Sequence, residues 1–211
     1  MKSSKIVQWA FSIGQKRYLT KAFHQIYVQK QQYEEPLLVV VNHSNFYDSL
    51  LLFELQKHGY LPANLVAVMS ANGIEQHRIF KGLGVIPVNQ PMKLSQYKDM
   101  LAVMEKQPLL IFPQGKEEHQ EKRPLTIEKG TAALLEKKQW HNVLFLTFYY
   151  SFTEQAGALV CCRSHFVAHH ERPQRAVDIQ LFLQQMMTEQ LNNVKRDVID
   201  QQLDTYEPLW S

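Results

Sequence analysis

The chain has 211 residues, of which 45% are hydrophobic and 20% are charged, a composition that supports one large folded domain and excludes a disordered protein. The formal net charge of +3 is too small to indicate a nucleic-acid-binding protein, and it only weakly favours an anionic membrane surface or a phosphorylated substrate. The two cysteines, Cys161 and Cys162, are adjacent, which excludes a secreted disulfide framework and indicates buried thiols of a cytosolic protein.

Residues 3–30 predict a helix, because they carry apolar residues at helical spacing, at Val7, Phe11, Tyr18, Ala22 and Ile26, with basic residues interspersed. Bulky apolar groups with basic flanks are typical of an interfacial helix that lies on a membrane surface. A helix that packs on the domain has the same pattern, and both interpretations stay open. No apolar run reaches the roughly 18 residues that a spanning helix needs, and the N-terminus has no signal-peptide core, so we expect no membrane-spanning segment.

Short apolar runs and segments with helical periodicity alternate along the rest of the chain. The apolar and β-branched runs predict strands at 37–41, 64–70, 85–88, 108–112, 143–150 and 158–167. The periodic segments predict helices at 49–58, 93–106, 126–138 and 174–199, the last of which is one long helix or two shorter ones. We also expect an irregular basic segment at 75–84 and a solvated loop at 117–123.

This alternation predicts an α/β fold, a single-domain sandwich with a mostly parallel central sheet flanked by helices and preceded by an N-terminal amphipathic helix. We assign residues 1–35 to the helical segment and residues 36–211 to the α/β domain. In such sheets, binding and catalytic groups gather at the carboxyl ends of the strands. Two unusual polar turns lie at such ends, Asn42–Asp48 after one predicted strand and Pro113–Lys116 after another.

The first of these turns contains a histidine and a carboxylate five residues apart. His43 can accept a proton from a hydroxyl group, and Asp48 can hold the imidazole in the required tautomer and stabilise its charged form. In the structural alternative, Ser44 or Asn45 caps the following helix, Asp48 lies in its first turn, and His43 is an ordinary loop residue. This stretch alone leaves both interpretations open.

Asn42, His43 and Asp48 match the Asn-His-x4-Asp block of the glycerolphosphate and lysophospholipid acyltransferases, and the chain resembles a divergent member of that family. Gly84–Asn89 is similar to the second block of the family. Phe112–Lys116 looks like the third block, Phe-Pro-Glu-Gly-Thr. The three blocks follow in the family's order, and each lies at a predicted strand.

The resemblance covers roughly residues 36–150, and the chain departs from the family pattern within that range. Gln90 stands where glycerolphosphate-type members have an Arg that binds the phosphate of the acceptor, Gln114 replaces the Glu of the third block, and Lys116–Glu117 replace its Thr-Arg. Neither Gln nor Lys reproduces the bidentate phosphate contact of Arg. These departures argue against glycerol 3-phosphate or lysophosphatidic acid as the acceptor and favour a glycolipid or another lipid alcohol.

The resemblance implies an O-acyltransferase that moves a fatty acyl group from acyl-coenzyme A or acyl carrier protein to a hydroxyl of a lysophospholipid, glycolipid or related lipid alcohol, without a cofactor or metal. His43 would be the general base, and Asp48 would orient it. Backbone N–H groups around Gly115 would stabilise the tetrahedral oxyanion. The candidate substrate-binding residues are Asn42, Arg78, Pro113, Gln114, Gly115 and Lys116.

The expected partners are a membrane surface, the acyl thioester donor and the lipid acceptor, with no nucleic acid, and we expect a peripheral or monotopic protein on the cytoplasmic side of the membrane. Two alternatives stay open: a thioester or lipid-ester hydrolase that uses the same His–Asp pair, and a non-catalytic lipid-binding protein on this scaffold. The segment His169-His170-Glu171 lacks the further ligands of a metal site, and the two cysteines are expected in the core of a strand.

Overall fold

The computed structural model of the protein describes residues 5–77, 80, 83–89 and 91–210. The strands are β1 (Phe23–Gln29), β2 (Leu37–Val41), β3 (Val66–Ser70), β4 (Ile86–Val88), β5 (Leu109–Ile111), β6 (Asn142–Phe152), β7 (Ala158–Val167) and β8 (Glu207–Pro208). The α-helices are α1 (Lys5–Ala22), α2 (Tyr47–Lys57), α3 (Ala71–Gln76), α4 (Leu94–Met104), α5 (Lys129–Lys137) and α6 (Ala176–Ile199). The strands form one sheet in the order β4-β3-β5-β2-β6-β7-β1-β8, which confirms the predicted α/β fold.

Most neighbouring strands of this sheet run parallel. β2 lies between β5 and β6 and is parallel to both, and β3 and β4 continue the parallel part beyond β5. β7 is antiparallel to β6, and the edge strand β8 is antiparallel to β1. Because parallel strands end at the same edge of a sheet, the segments that follow β2 and β5 lie side by side, and β6 brings its last residues to that edge.

Apolar side chains cover both faces of the central strands. All residues of β2 and the first eight of β6 are buried, as expected for strands between two layers of helices. Leu38 and Val40 belong to the core that includes α4, α5 and α6, whereas Leu37, Val39 and Val41 belong to the core that includes α1 and α2. The alternation of side chains along a strand therefore separates two hydrophobic cores.

The N-terminal segment is not helical throughout. α1 ends at Ala22, and the expectation of a helix through residue 30 is wrong for Phe23–Gln29, which form β1 and pair in parallel with β7. Ala22 and Ile26 are four residues apart, as on a helix, but Ile26 and Val28 are both buried with the period of a strand. The segment that we assigned to residues 1–35 thus contributes a strand to the sheet of the α/β domain.

Two other segments differ from their predictions. Ala71–Gln76 forms α3, capped by the hydroxyl of Ser70, and its last two residues are the first two of the segment that was expected to be irregular. The segment 117–123 is a loop with Glu117, His119 and Lys122 exposed, but the expectation that it is solvated is wrong for Glu118, which is buried among polar partners. A charged residue looks the same in sequence whether it meets water or an internal partner. Within the described ranges, none of the helices combines the length and the apolar character needed to cross a membrane.

Candidate active site

Asp48 is a buried residue in the first turn of α2, and its carboxylate is the centre of the hydrogen bonds that order the loop between β2 and α2. Its Oδ2 accepts the backbone N–H of Ser44 at 2.6 Å and that of Asn45 at 3.0 Å, and it lies 3.0 Å from Nδ1 of His43. Because a carboxylate that receives these N–H groups is an acceptor, Nδ1 of His43 is the donor in the third contact. One carboxylate therefore orders the loop and selects the tautomer in which Nε2 of His43 accepts a proton.

Two asparagine side chains fix the ends of this loop. The side-chain oxygen of Asn45 accepts the backbone N–H of Tyr47 at 2.8 Å and supports the first turn of α2. Asn42 is buried, and its amide pairs with the backbone of Phe148, accepting the N–H at 2.7 Å and donating to the carbonyl at 3.1 Å. The Asn42 side chain thus extends the ladder between β2 and β6, and its amide positions the loop instead of facing a ligand.

The His43 ring lies against Phe112 at the carboxyl end of β5. The ring centroids are 4.2 Å apart and the ring planes are inclined by 20°. The side chain of His43 is 19% exposed, and its Nε2 lies 3.7 Å from Oε1 of Glu117, whose own side chain is 56% exposed. The ring is therefore held by Asp48 and Phe112, and its Nε2 is near Glu117 in the cavity that both residues line.

Tyr150 reaches Asp48 from the end of β6. Its hydroxyl donates to Oδ1 of Asp48, the oxygen that the loop leaves unused. Burial raises the pKa of Tyr150 well above its usual value, and the Asp48 carboxylate raises it further, so the hydroxyl stays protonated. The Gln120 amide accepts the Tyr150 N–H and donates to its carbonyl, both at 2.9 Å. The sequence analysis missed both residues, and the available signal was a tyrosine at the polar end of an apolar strand.

The Gln114 side chain links the turn after β5 to the His43 loop. Gln114 is 1% exposed, and its Oε1 accepts the backbone N–H of His43 at 2.6 Å. Its Nε2 donates to Oε2 of Glu118 at 3.4 Å, and the backbone N–H of Glu118 donates to the His43 carbonyl at 2.9 Å. Gln114 and Glu118 together bind both polar backbone groups of His43.

Glu118 is a buried carboxylate surrounded by donors. Oε1 contacts Nζ of Lys122 and accepts the Thr126 hydroxyl at 2.9 Å, and Oε2 accepts the Thr126 backbone N–H at 3.3 Å. Burial alone would raise the pKa of Glu118, but the hydrogen bonds from Lys122, Thr126 and Gln114 outweigh burial and lower the pKa to about 2. Glu118 is therefore ionised at neutral pH. No local pattern distinguishes it from the surface charges beside it in sequence, and the sequence analysis missed it.

The turn at Gly115 contains the backbone N–H groups that were expected to stabilise the oxyanion. Gly115 has a φ of +69°, a conformation that favours glycine, and its N–H donates to the Phe112 carbonyl at 3.2 Å. The N–H groups of Lys116 and Glu117 make no hydrogen bond to any residue that the structure describes. Both residues line the cavity beside His43. The available backbone donors therefore belong to the two residues after Gly115.

Two cavities meet at this site. The first has a volume of about 690 Å³ and is lined by His43 and by the turn after β5. The second has a volume of about 1040 Å³ and lies between α2, β3 and β4, where it is lined mainly by apolar side chains such as Leu52, Leu65 and Val103. The two cavities share the lining residues Ser49, Val68, Met69 and Phe112. The imidazole therefore lies in a cavity lined by both polar and apolar residues, and this cavity adjoins a second one lined mainly by apolar side chains.

The other predicted binding residues have different surroundings. Pro113 is buried, and its carbonyl accepts the backbone N–H of Glu128 at 2.7 Å. Lys116 is exposed and lines the first cavity, and its Nζ lies 4.0 Å from Oε1 of Glu118. Arg78 lies outside the described residues, as does Gln90. The structure thus brings five of the six predicted binding residues to the edge of the sheet where β2 and β5 end.

The thiols do not resemble nucleophiles. Cys161 and Cys162 are buried in β7, and burial raises the pKa of Cys161 to about 12 and that of Cys162 well above its usual value. Among the residues that the structure describes, no three His, Cys, Asp or Glu side chains are grouped to hold a metal ion. The ring of His169 instead contacts the Asn142 side chain at 3.2 Å.

Comparison with known proteins assigns the family. The acyltransferase family model matches residues 21–151, which is more than half of the chain. No curated protein sequence matches the chain. The crystal structure of the 1-acyl-sn-glycerophosphate (LPA) acyltransferase PlsC from Thermotoga maritima is similar, with a TM-score of 0.63 over 89% of this chain and 79% of that chain at 13% sequence identity. These findings confirm the fold and the resemblance predicted from the three sequence blocks. The chain therefore belongs to the acyltransferase family and is an acyltransferase.

Proposed function

We propose that the protein is an O-acyltransferase that transfers a fatty acyl group from coenzyme A or acyl carrier protein to a hydroxyl of a lysophospholipid, glycolipid or related lipid alcohol. The observation that carries the proposal is the His43 imidazole, whose Nδ1 is bound by the buried Asp48 and which is partly exposed in the lining of a cavity. Membership of the acyltransferase family supports acyl transfer as the reaction class.

His43 acts as the general base in this mechanism. As the acceptor hydroxyl attacks the thioester carbonyl carbon, its proton passes to Nε2 of His43, a contribution of about 10²- to 10⁴-fold to the rate. Asp48 accepts the hydrogen bond from Nδ1 and stabilises the imidazolium. When the tetrahedral intermediate collapses, the C–S bond breaks and the leaving thiolate takes the proton from Nε2. No acyl-enzyme forms.

Backbone donors of the turn after β5 stabilise the oxyanion of this intermediate. The N–H groups of Lys116 and Glu117 have no partner among the described residues, and both residues line the cavity that contains His43. Preorganised donors at such a place act without reorganisation when the charge develops. The exposed ammonium group of Lys116 contributes a positive charge nearby. Both donors belong to the predicted group of N–H groups around Gly115, whereas the N–H of Gly115 itself is already bonded within the turn.

The apolar cavity beside the site accommodates the fatty acyl chain. Its volume of about 1040 Å³ reaches the upper end of the usual range for small-molecule sites, roughly 300–1,000 Å³. Because it shares Ser49 and Phe112 with the His43 cavity, a chain bound there has its carbonyl end directed toward the imidazole. This arrangement supports a long acyl thioester as the donor.

We further propose that the reaction takes place at the cytoplasmic surface of a membrane. This extension of the proposal rests on α1. The end of this helix packs on protein, because Leu19 is fully buried and Nε2 of Gln15 donates to the Leu50 carbonyl at 2.7 Å. Tyr18 on the same helix is half exposed and lies beside the basic Arg17. Sedimentation with anionic vesicles tests this extension, and a protein that stays in the supernatant at low salt refutes it.

His43→Ala tests the proposed base. We expect the variant to remain folded and to lose acyl transfer by at least about 10²-fold, since the substitution removes the imidazole that accepts the proton of the attacking hydroxyl. The assay offers acyl-coenzyme A and acyl carrier protein donors to lysophospholipids, glycerol 3-phosphate and glycolipids, and identifies products by mass spectrometry. Acylated lipid is the expected product. Free fatty acid as the sole product indicates a hydrolase, and full transfer by His43→Ala refutes the mechanism.

A further inference from the structure

We infer that Gln114 and Glu118 form one positioning unit that holds the backbone of His43. In this unit, residue 114 must be an amide because residue 118 is a carboxylate. The inference rests on the proposed role of His43 and assigns two residues that act through it. Gln114 was predicted to bind substrate, and Glu118 was expected in solvent. Neither expectation describes the contacts that these side chains make.

The orientation of the Gln114 amide follows from its partners. The backbone N–H of His43 can only donate, so the atom 2.6 Å from it is the amide oxygen. The amide nitrogen then faces Glu118, whose ionised carboxylate can only accept. The return contact, from the Glu118 N–H to the His43 carbonyl at 2.9 Å, closes the unit. Both polar backbone groups of His43 are thus bound by this pair.

Charge explains why the pair contains one carboxylate and one amide. Glu118 is kept ionised by Lys122 and Thr126, which come from the segment that follows it. A second carboxylate at position 114 would lie about as close to Glu118 as the present 3.4 Å contact, in a place that is 1% exposed. Two buried carboxylates at such a distance cannot both be ionised without strong repulsion. The Glu of the family's third block is therefore incompatible with Glu118.

A direct role of Gln114 in binding the acceptor does not fit these contacts. Both ends of its amide are engaged by protein groups, and the side chain is almost fully buried. Its replacement of Glu therefore reflects the partner at position 118 and not the headgroup of the acceptor. We expect the unit to affect kcat, through the placement of the His43 ring, with the KM of the thioester unchanged.

Exchanging the two residues tests the inference. Gln114→Glu is expected to lower both the melting temperature and kcat, and Glu118→Gln to lower them less. The double variant Gln114→Glu with Glu118→Gln restores one amide and one carboxylate, so its kcat should recover by about tenfold over Gln114→Glu, a coupling typical of contacting residues. The difference in melting temperature between Gln114→Glu and the wild type should become smaller at low pH, where the two carboxylates share one proton.

The matched control is the same exchange at the same spacing on an exposed surface, Gln185→Glu with Glu189→Gln on α6, which should leave kcat and the melting temperature unchanged. The inference is overturned if Gln114→Glu behaves like the wild type, or if the double variant melts or reacts no better than Gln114→Glu. If His43→Ala keeps its activity, the proposed function fails separately, and the melting temperatures of the four variants still test the pair because the contact between residues 114 and 118 does not depend on catalysis.

Discussion

Two buried carboxylates hold His43 from different directions, and they act on different parts of the residue. Asp48 binds the imidazole directly at Nδ1, whereas Glu118 acts on the backbone of His43 through Gln114 and through its own N–H. Asp48 receives its other hydrogen bonds from the loop and from Tyr150. Glu118 receives them from residues that follow it in the chain.

The two carboxylates therefore have different roles: Asp48 orients the imidazole ring of His43, and Glu118 positions the backbone of the loop that carries it. Loss of the Asp48 charge removes stabilisation of the imidazolium, which forms only during the reaction, and so it acts on the chemical step. Loss of the Glu118 charge removes hydrogen bonds that exist only in the folded protein, and so it acts first on stability. The following substitutions test this division.

Asp48→Asn is expected to have the largest effect. The amide oxygen can still accept from Nδ1 of His43, but the negative charge that stabilises the imidazolium is lost, so kcat should fall by about 10²- to 10⁴-fold. Steady-state kinetics measures the loss, with circular dichroism as the check on folding. Asp178→Asn is the matched control, since Asp178 lies in the first turn of α6 and pairs with the exposed Arg175. A wild-type rate for Asp48→Asn would restrict Asp48 to a structural role.

Glu118 is expected to make stability depend on pH. Its pKa is about 2 in the folded protein against an ordinary value of 4.5, a difference worth at most on the order of 3 kcal/mol. Because the folded pKa is lowered, this stabilisation is present above pH 4.5 and is lost as the pH falls from 4.5 toward 2. Urea unfolding should therefore show a difference between the wild type and Glu118→Gln at pH 6 that narrows at pH 3. A difference that stays constant with pH contradicts this account.

Tyr150→Phe is expected to have a smaller effect than Asp48→Asn. It removes one of the hydrogen bonds to the Asp48 carboxylate and leaves the others, so kcat should fall by about tenfold, in proportion to one hydrogen bond to a charged group. Tyr149→Phe is the control, because Tyr149 belongs to the opposite core and its hydroxyl binds Glu121. If both variants lose the same activity, the effect comes from β6 as a whole and not from Asp48.

The sequence was most informative where the chemistry lies within one short segment. The spacing of His43 and Asp48 placed the imidazole and the carboxylate in one loop, and the structure shows that contact at 3.0 Å. The α/β sandwich was also predictable from local patterns. A strand such as β2, which is buried on both faces, needs a continuous apolar run, and such runs are visible in the sequence. The strand at Phe23–Gln29 was missed because Ala22 and Ile26 fit the spacing of a helix as well.

By itself, the sequence determined the His–Asp pair, the polar turn after β5 and the family, because each is written in residues close together in the chain. Only the tertiary structure decided that Tyr150, 102 residues from Asp48, donates to its carboxylate, and that Gln114, 71 residues from His43, binds its backbone. The parallel pairing of β2 with β5 and β6 brings these residues to one edge of the sheet. The roles of Tyr150 and Gln114 depend on which hydrogen-bond donor lies beside which acceptor at this edge. Strand order and burial determine those pairs, and neither can be predicted from a local pattern in the sequence.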